Sequence, residues 1–241
     1  MAVQQPAAVA PVRRADAGSV RLGDRDIAGL VLCGEQYGAP YDLLAAALGV
    51  APARLRGIVA RWRAAGYAQT ARLGPGPSWC WLTPRGMERV GLPYPAAPPK
   101  LARLAHVRAV LAVRLWLSGS EAYRAGGAWW ESERRLRTAV RRVTAPHVAD
   151  AAIHWPSVEG SPYAGQVWAV EVKLTPKTAE RTTRIMAGLL GSPAGYARVV
   201  YLCAGAARPV VTCSAEWFSA GQRARFAIRD LPPTASMPGV P

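Results

Sequence analysis

Lysine is almost missing from these 241 residues: Lys100, Lys173 and Lys177 are the only three, against 27 arginines. A GC-rich coding bias accounts for the general replacement, yet two of the three lysines survive close to one acidic residue, Glu171. Arginine cannot shed its proton or act as a compact point charge, and lysine can. Long apolar runs are missing too. The longest stretch without a charged side chain is residues 185–197, interrupted by Gly188, Gly191, Pro193 and Gly195. A membrane-spanning helix needs about 20 apolar residues, so none is expected. The chain does not open on a basic segment followed by an apolar run, and no signal peptide is expected. Cysteines are few: Cys33, Cys80, Cys203 and Cys213 show no CxxC spacing. That argues against a zinc site or a disulfide framework and for a reducing, cytoplasmic setting. Acidic residues are scarce, 15 against 30 Lys plus Arg, for a net charge of +15. Such a surplus favours nucleic acid or an anionic membrane surface as partner.

What is present suffices for a core: 51% of the residues are hydrophobic, and the length suits one large domain or two small ones. Residues 1–22 and 231–241 are Pro- and Ala-rich without periodicity and are expected to be flexible tails. Four prolines between residues 92 and 100 cannot continue a helix or a central strand. A linker over 93–100 therefore divides a first unit, 23–92, from a second, 101–230. Both are basic: residues 1–99 carry 11 basic and 6 acidic side chains, and 100–241 carry 19 and 9.

In the first unit an apolar helical stretch starts at Asp24 and closes near Tyr37-Gly38. A second helix runs from Tyr41 to Gly49, and a third opens at Ala51-Pro52 with Leu55, Ile58, Val59 and Trp62 at helical spacing. Arg54, Arg56, Arg61 and Arg63 lie largely off that stripe. Two short strands around Gly-Pro-Gly come next, then a short helix from Pro84. The arrangement resembles a winged helix-turn-helix over residues 24–92, whose second helix enters the major groove of double-stranded DNA, with Arg72 and Arg85 near the wing on phosphates. A protein–protein module with a solvated arginine face has the same outline.

The second unit opens with a helix apolar on most of its circumference, expected to be buried, and His106 on it reads as a core or interface histidine. Strict alternation in VWAVEVKL puts Glu171 and Lys173 on one face, and alternation in VADAAIHW makes Asp150 a lone acid on an apolar strand. A Pro- and Gly-rich connection suits a hairpin, and antiparallel pairing brings Asp150 near Glu171. Two carboxylates at one place repel unless a cation lies between them, and oxygen ligands favour a hard ion such as Mg2+. Lys173 is expected at the rim. Thr175-Pro176 reads as a helix start, with Lys177, Arg181 and Arg184 forming a basic stripe that tracks a phosphate backbone or simply faces water. ARVVYLCAG and PVVTCSAEWF read as buried strands, which makes this unit α/β.

An acid, a hairpin, Glu-x-Lys on the next strand and then a helix is similar to the PD-(D/E)XK restriction-endonuclease-like superfamily, here as Asp150 and Glu171-Val172-Lys173, with Ala149 where a proline is usual. The resemblance implies a metal at Asp150 and Glu171 and an upstream acid, Glu133 or Glu131. With the winged helix and WWESERRLR, the order of elements looks like the replication-relaxation family of actinobacterial plasmids and mobile elements. That likeness implies a DNA-binding protein that nicks or cleaves DNA with Mg2+ beside replication or transfer proteins, and a palindromic footprint would point to a homodimer. The alternatives are a catalytically inactive DNA-binding regulator or a structural adaptor.

Overall fold

The computed structural model describes residues 21–140 and 147–233. Most of both expected tails lies outside the described residues. The chain is mixed α/β, with two sheets and three principal apolar clusters, one in the first unit and one on each face of the larger sheet.

Three helices come first: α1 (Asp24–Glu35), α2 (Tyr41–Leu48) and α3 (Pro52–Ala64). Leu30, Leu43, Leu44, Leu55, Val59 and Trp62 meet in one core because each helix repeats its apolar residues at three- and four-residue spacing. Pro52 at the first turn of α3 costs nothing, since that N–H has no helical partner. Gly49 ends α2 with φ 60°, a conformation that favours glycine. The strands β2 (Ala68–Ala71) and β3 (Trp79–Leu82) pair antiparallel, and the two-residue strand β1 (Ala39–Pro40) adds to the other side of β3. Two residues carry no period, so the sequence gives no sign of that third strand. Helix α4 (Pro84–Arg89) closes the unit, capped by the Thr83 hydroxyl on Gly86 N–H.

The proline-rich segment is docked rather than free: Tyr94 and Pro99 are buried. After a 3-10 turn at Leu101–Arg103, helix α5 (Leu104–Ser118) buries Leu111 and Ala112 in the first core and Ala109, Val110 and Val113 against the large sheet. Its nearly continuous apolar surface is explained by having two cores to fill. Next come α6 (Glu121–Ala125), β4 (Trp129–Ser132), α7 (Glu133–Val140), β5 (Ala151–His154), β6 (Val167–Lys173), α8 (Ala179–Leu190), β7 (Arg198–Cys203), α9 (Arg208–Ala215), α10 (Ala220–Arg223) and β8 (Phe226–Asp230). The five-stranded sheet runs β4-β5-β6-β7-β8, antiparallel through β6 and parallel from β6 to β8. Its face bearing Ala169, Tyr201 and Cys203 packs on Ile185, Met186 and Leu189 of α8 and Val211 of α9, and the opposite face packs on α5.

Three expectations are corrected. Residues of PVVTCSAEWF form α9, not a strand: Pro209 sits in the first turn and Val211, Ser214 and Ala215 face inward at helical spacing. A parallel β7–β8 pair needs such a crossover, and the strand itself, β8, comes later. Helix α8 starts at Thr178, whose hydroxyl accepts from Arg181 N–H at 3.3 Å, and not at Thr175-Pro176. Lys177 therefore precedes the helix and shares no helical stripe with Arg181 and Arg184. Asp150 stands one residue before β5 instead of within it, since the antiparallel ladder with β6 starts at Ala151 opposite Val170.

Candidate active site

Where β5 begins and β6 ends, the backbone brings Asp150 beside Val172, and Val172 N–H donates to Asp150 Oδ2 at 2.8 Å. The other oxygen, Oδ1, is met by His106 Nε2 of α5 at 3.0 Å. Two elements thus hold Asp150 in one orientation.

Glu171 is fully buried. His147 Nε2 stands 2.8 Å from its Oε1, and Lys173 Nζ is paired with Oε2. Burial pushes the Glu171 carboxyl up, but the His147 hydrogen bond and the Lys173 charge outweigh it, so the net shift is downward. Burial pulls Lys173 down, and the facing Glu171 and Asp150 charges raise it above the usual ammonium range. Both groups are therefore ionised at neutral pH. Lys173 is almost as buried as its partner and does not stand at a rim, a correction whose cause is the ion pair itself.

Asp150 and Lys173 line one cavity of about 380 Å³ with His106, His147, Glu133, Arg103, Arg137 and Lys177. Glu171 lies just beneath, screened by His147 and Lys173. Glu133 accepts from Arg103 at 2.9 Å and from Arg137 at 2.7 Å. Burial, then the charges of Lys173 and Arg181, push Lys177 below its ordinary value. The lining holds four cations, Arg103, Arg137, Lys173 and Lys177, against the two carboxylates of Asp150 and Glu133, so it favours an anionic ligand.

Of the two upstream acids, Glu133 is on this cavity and Glu131 is not: Glu131 accepts from His154 at 2.6 Å at the far end of β5. The histidines are what sequence reasoning missed. The chain has three, and each faces an acid from another element, His106 with Asp150, His147 with Glu171 and His154 with Glu131. No carboxylate lies at helical spacing from His106, so sequence held no signal for its partner.

The arginines of the first unit are distributed as the apolar stripe implies. Arg54, Arg56, Arg63 and Arg72 are exposed, while Arg61 is pinned to Asp26 at 3.1 Å, which also accepts from Trp62 Nε1 at 2.8 Å. Arg85 is exposed over the Tyr67 ring. In α8, Arg181 is exposed and Arg184 is paired with Glu180.

Among the described residues, no group of three or more His, Cys, Asp or Glu is arranged to hold a metal ion, and no single helix is long and apolar enough to cross a membrane. No family model matches the chain, and no curated protein does. One solved structure similar to it, "PigF with SAH", aligns over 86% of this chain at 14% identity, with a TM-score of 0.20. The chain spans 56% of that protein's length, and a likeness this slight carries no argument about fold or function.

Proposed function

We propose that the chain is a DNA-binding phosphodiesterase of a plasmid or other mobile element, with a winged helix-turn-helix at 24–92 and a restriction-endonuclease-like α/β unit after it. The observation that carries this reading is the meeting of Asp150, Lys173 and Glu133 around one cation-rich cavity with Glu171 directly beneath. The order of elements supports it in part: helices α5 and α6, strand β4, helix α7, antiparallel strands β5 and β6, helix α8 and then β7 parallel to β6, with Glu133 just after β4, Asp150 just before β5 and Glu171 near the end of β6.

Asp150 and Glu171 are hard oxygen donors, and each oxygen keeps a lone pair beyond its present hydrogen bond. Mg2+ is commonly held by only one or two carboxylates, with waters and substrate phosphate completing the shell. Glu171 has no exposed surface, so an ion shared by Asp150 and Glu171 would need His147 and Lys173 to turn aside; held there, it would supply charge stabilisation to a reacting phosphate and a bound water of lowered pKa. The protein's own groups do the rest. Arg103, Arg137 and Lys177 draw a phosphodiester into the cavity, Lys173 offers positive charge beside the carboxylates, and His106 keeps Asp150 from turning away. Exposed Arg54, Arg56 and Arg63 on α3 hold the duplex electrostatically.

A second reading, a DNA-binding regulator without cleavage, is favoured by one observation: all four oxygens of Asp150 and Glu171 already have protein partners. Supercoiled plasmid incubated with Mg2+ separates the two. Mg2+-dependent nicking by the wild type, lost in both Asp150→Asn and Glu171→Gln, is the expected result. A wild type that retards DNA and never nicks it supports the regulator instead.

A further inference from the structure

Trp129 opens β4, the outermost strand of the large sheet, at the opposite end of β5 from Asp150. Alternation sends Trp130 into the core and Trp129 out, leaving it 43% exposed. The indole lies parallel to the His154 imidazole, with centroids 3.9 Å apart and planes 5° apart. Glu131 anchors that imidazole at 2.6 Å, and Arg135 reaches Glu131 at 3.7 Å. The Arg135 guanidinium also stands 5.6 Å from the indole centroid, and its side chain is 59% exposed.

An indole left in water forgoes burial that its neighbour Trp130 gains, and nothing in strand alternation requires a tryptophan at the outward position. Here His154, oriented through a carboxylate, stacks on one face, and the exposed Arg135 guanidinium lies over the ring, where an incoming base would displace it. Such a ring takes any nucleobase, because every base has a π-face, while an arginine beside it stacks on the base or meets its phosphate. Paired bases are stacked inside a duplex and cannot reach a protein ring unless extruded.

We propose that Trp129, stacked on His154 and flanked by Arg135, is a binding site for an unpaired base of single-stranded nucleic acid. The site goes beyond the cavity reading and does not depend on cleavage there. The test uses the full chain and fluorescence polarisation with two labelled strands of equal length, oligothymidine and its abasic analogue, which share backbone charge. Wild type binds oligothymidine about fivefold or more tightly than the abasic strand. Trp129→Ala brings that ratio to about one, and Trp129→Phe, which keeps a stacking ring, retains most of it. Equal affinity of the wild type for both strands overturns the proposal without any variant, and so does an undiminished ratio in a folded Trp129→Ala. Plasmid that is never nicked leaves the base ratio untouched, so the two readings fail separately.

Discussion

Glu171 shows what a single buried charge demands of its surroundings. A carboxylate with no exposed surface is tolerable only when its oxygens are met, and Lys173 and His147 meet one each. Removing one partner from a buried pair costs far more than the pair contributes. Lys173→Met is therefore expected to lower stability by about 3 kcal/mol. Glu171→Gln/Lys173→Met, which removes both charges, should recover much of that loss, because neither member is left buried and alone. Urea denaturation of the two single variants and the double variant reads the coupling directly, and additive losses would contradict the pairing. The same result bears on how cleavage assays are read, since activity lost in Lys173→Met has to be separated from a shifted folding equilibrium.

Among the elements, α4 is placed by a glycine as well as by Met87, which it buries in the first core. A Cβ built on Gly86 would stand 2.0 Å from the Tyr67 carbonyl oxygen, an impossible approach to rigid backbone. Intrinsic propensity alone predicts that Gly86→Ala stabilises a helix by about 1 kcal/mol. The close approach predicts the opposite sign: α4 must shift off β2, and the thermal midpoint falls. A raised midpoint would show that the helix sits further from Tyr67. The beginning of α8 is decided locally too, but by competition. Thr175 and Thr178 both offer a cap, and Thr178 wins with Glu180 favourably placed in its first turn.

Across the whole molecule, the two basic halves are joined more firmly than a proline-rich linker suggests. Helix α5 fills a core in each half, Arg108 pairs with Asp42 of α2, and Arg114 meets Glu35 of α1 at 3.2 Å. Arg134 of α7 donates to Gly34 O and Pro95 O, each at 2.7 Å, with its guanidinium between the rings of Tyr37 and Tyr94. A cation desolvated in this way is matched only by carbonyls and ring faces across the boundary. The chain is accordingly expected to unfold in one cooperative transition, with circular dichroism and tryptophan fluorescence superimposing. Arg134→Met takes this donor from the carbonyl of buried Gly34, at about 1–3 kcal/mol, and should lower the shared midpoint or split it. A wild type that unfolds in two steps would mean the halves are independent.

Periodicity is enough to locate α1, α2, α3, α5 and β6, because each repeats apolar residues over two or more turns or one full strand and needs no distant partner to declare itself. Alternation likewise puts Glu171 and Lys173 on one face, and composition alone makes the chain basic in both halves. What only the tertiary structure decided is which groups meet. Residues 209–215 became helical because parallel strands require a crossover, His106 found Asp150 across 44 positions of chain, and Glu133 rather than Glu131 came to line the cavity. These are contacts between elements, made favourable by apolar burial and by charge pairing that offsets the cost of desolvation, and both depend on groups brought together in space, which no local pattern along the chain encodes.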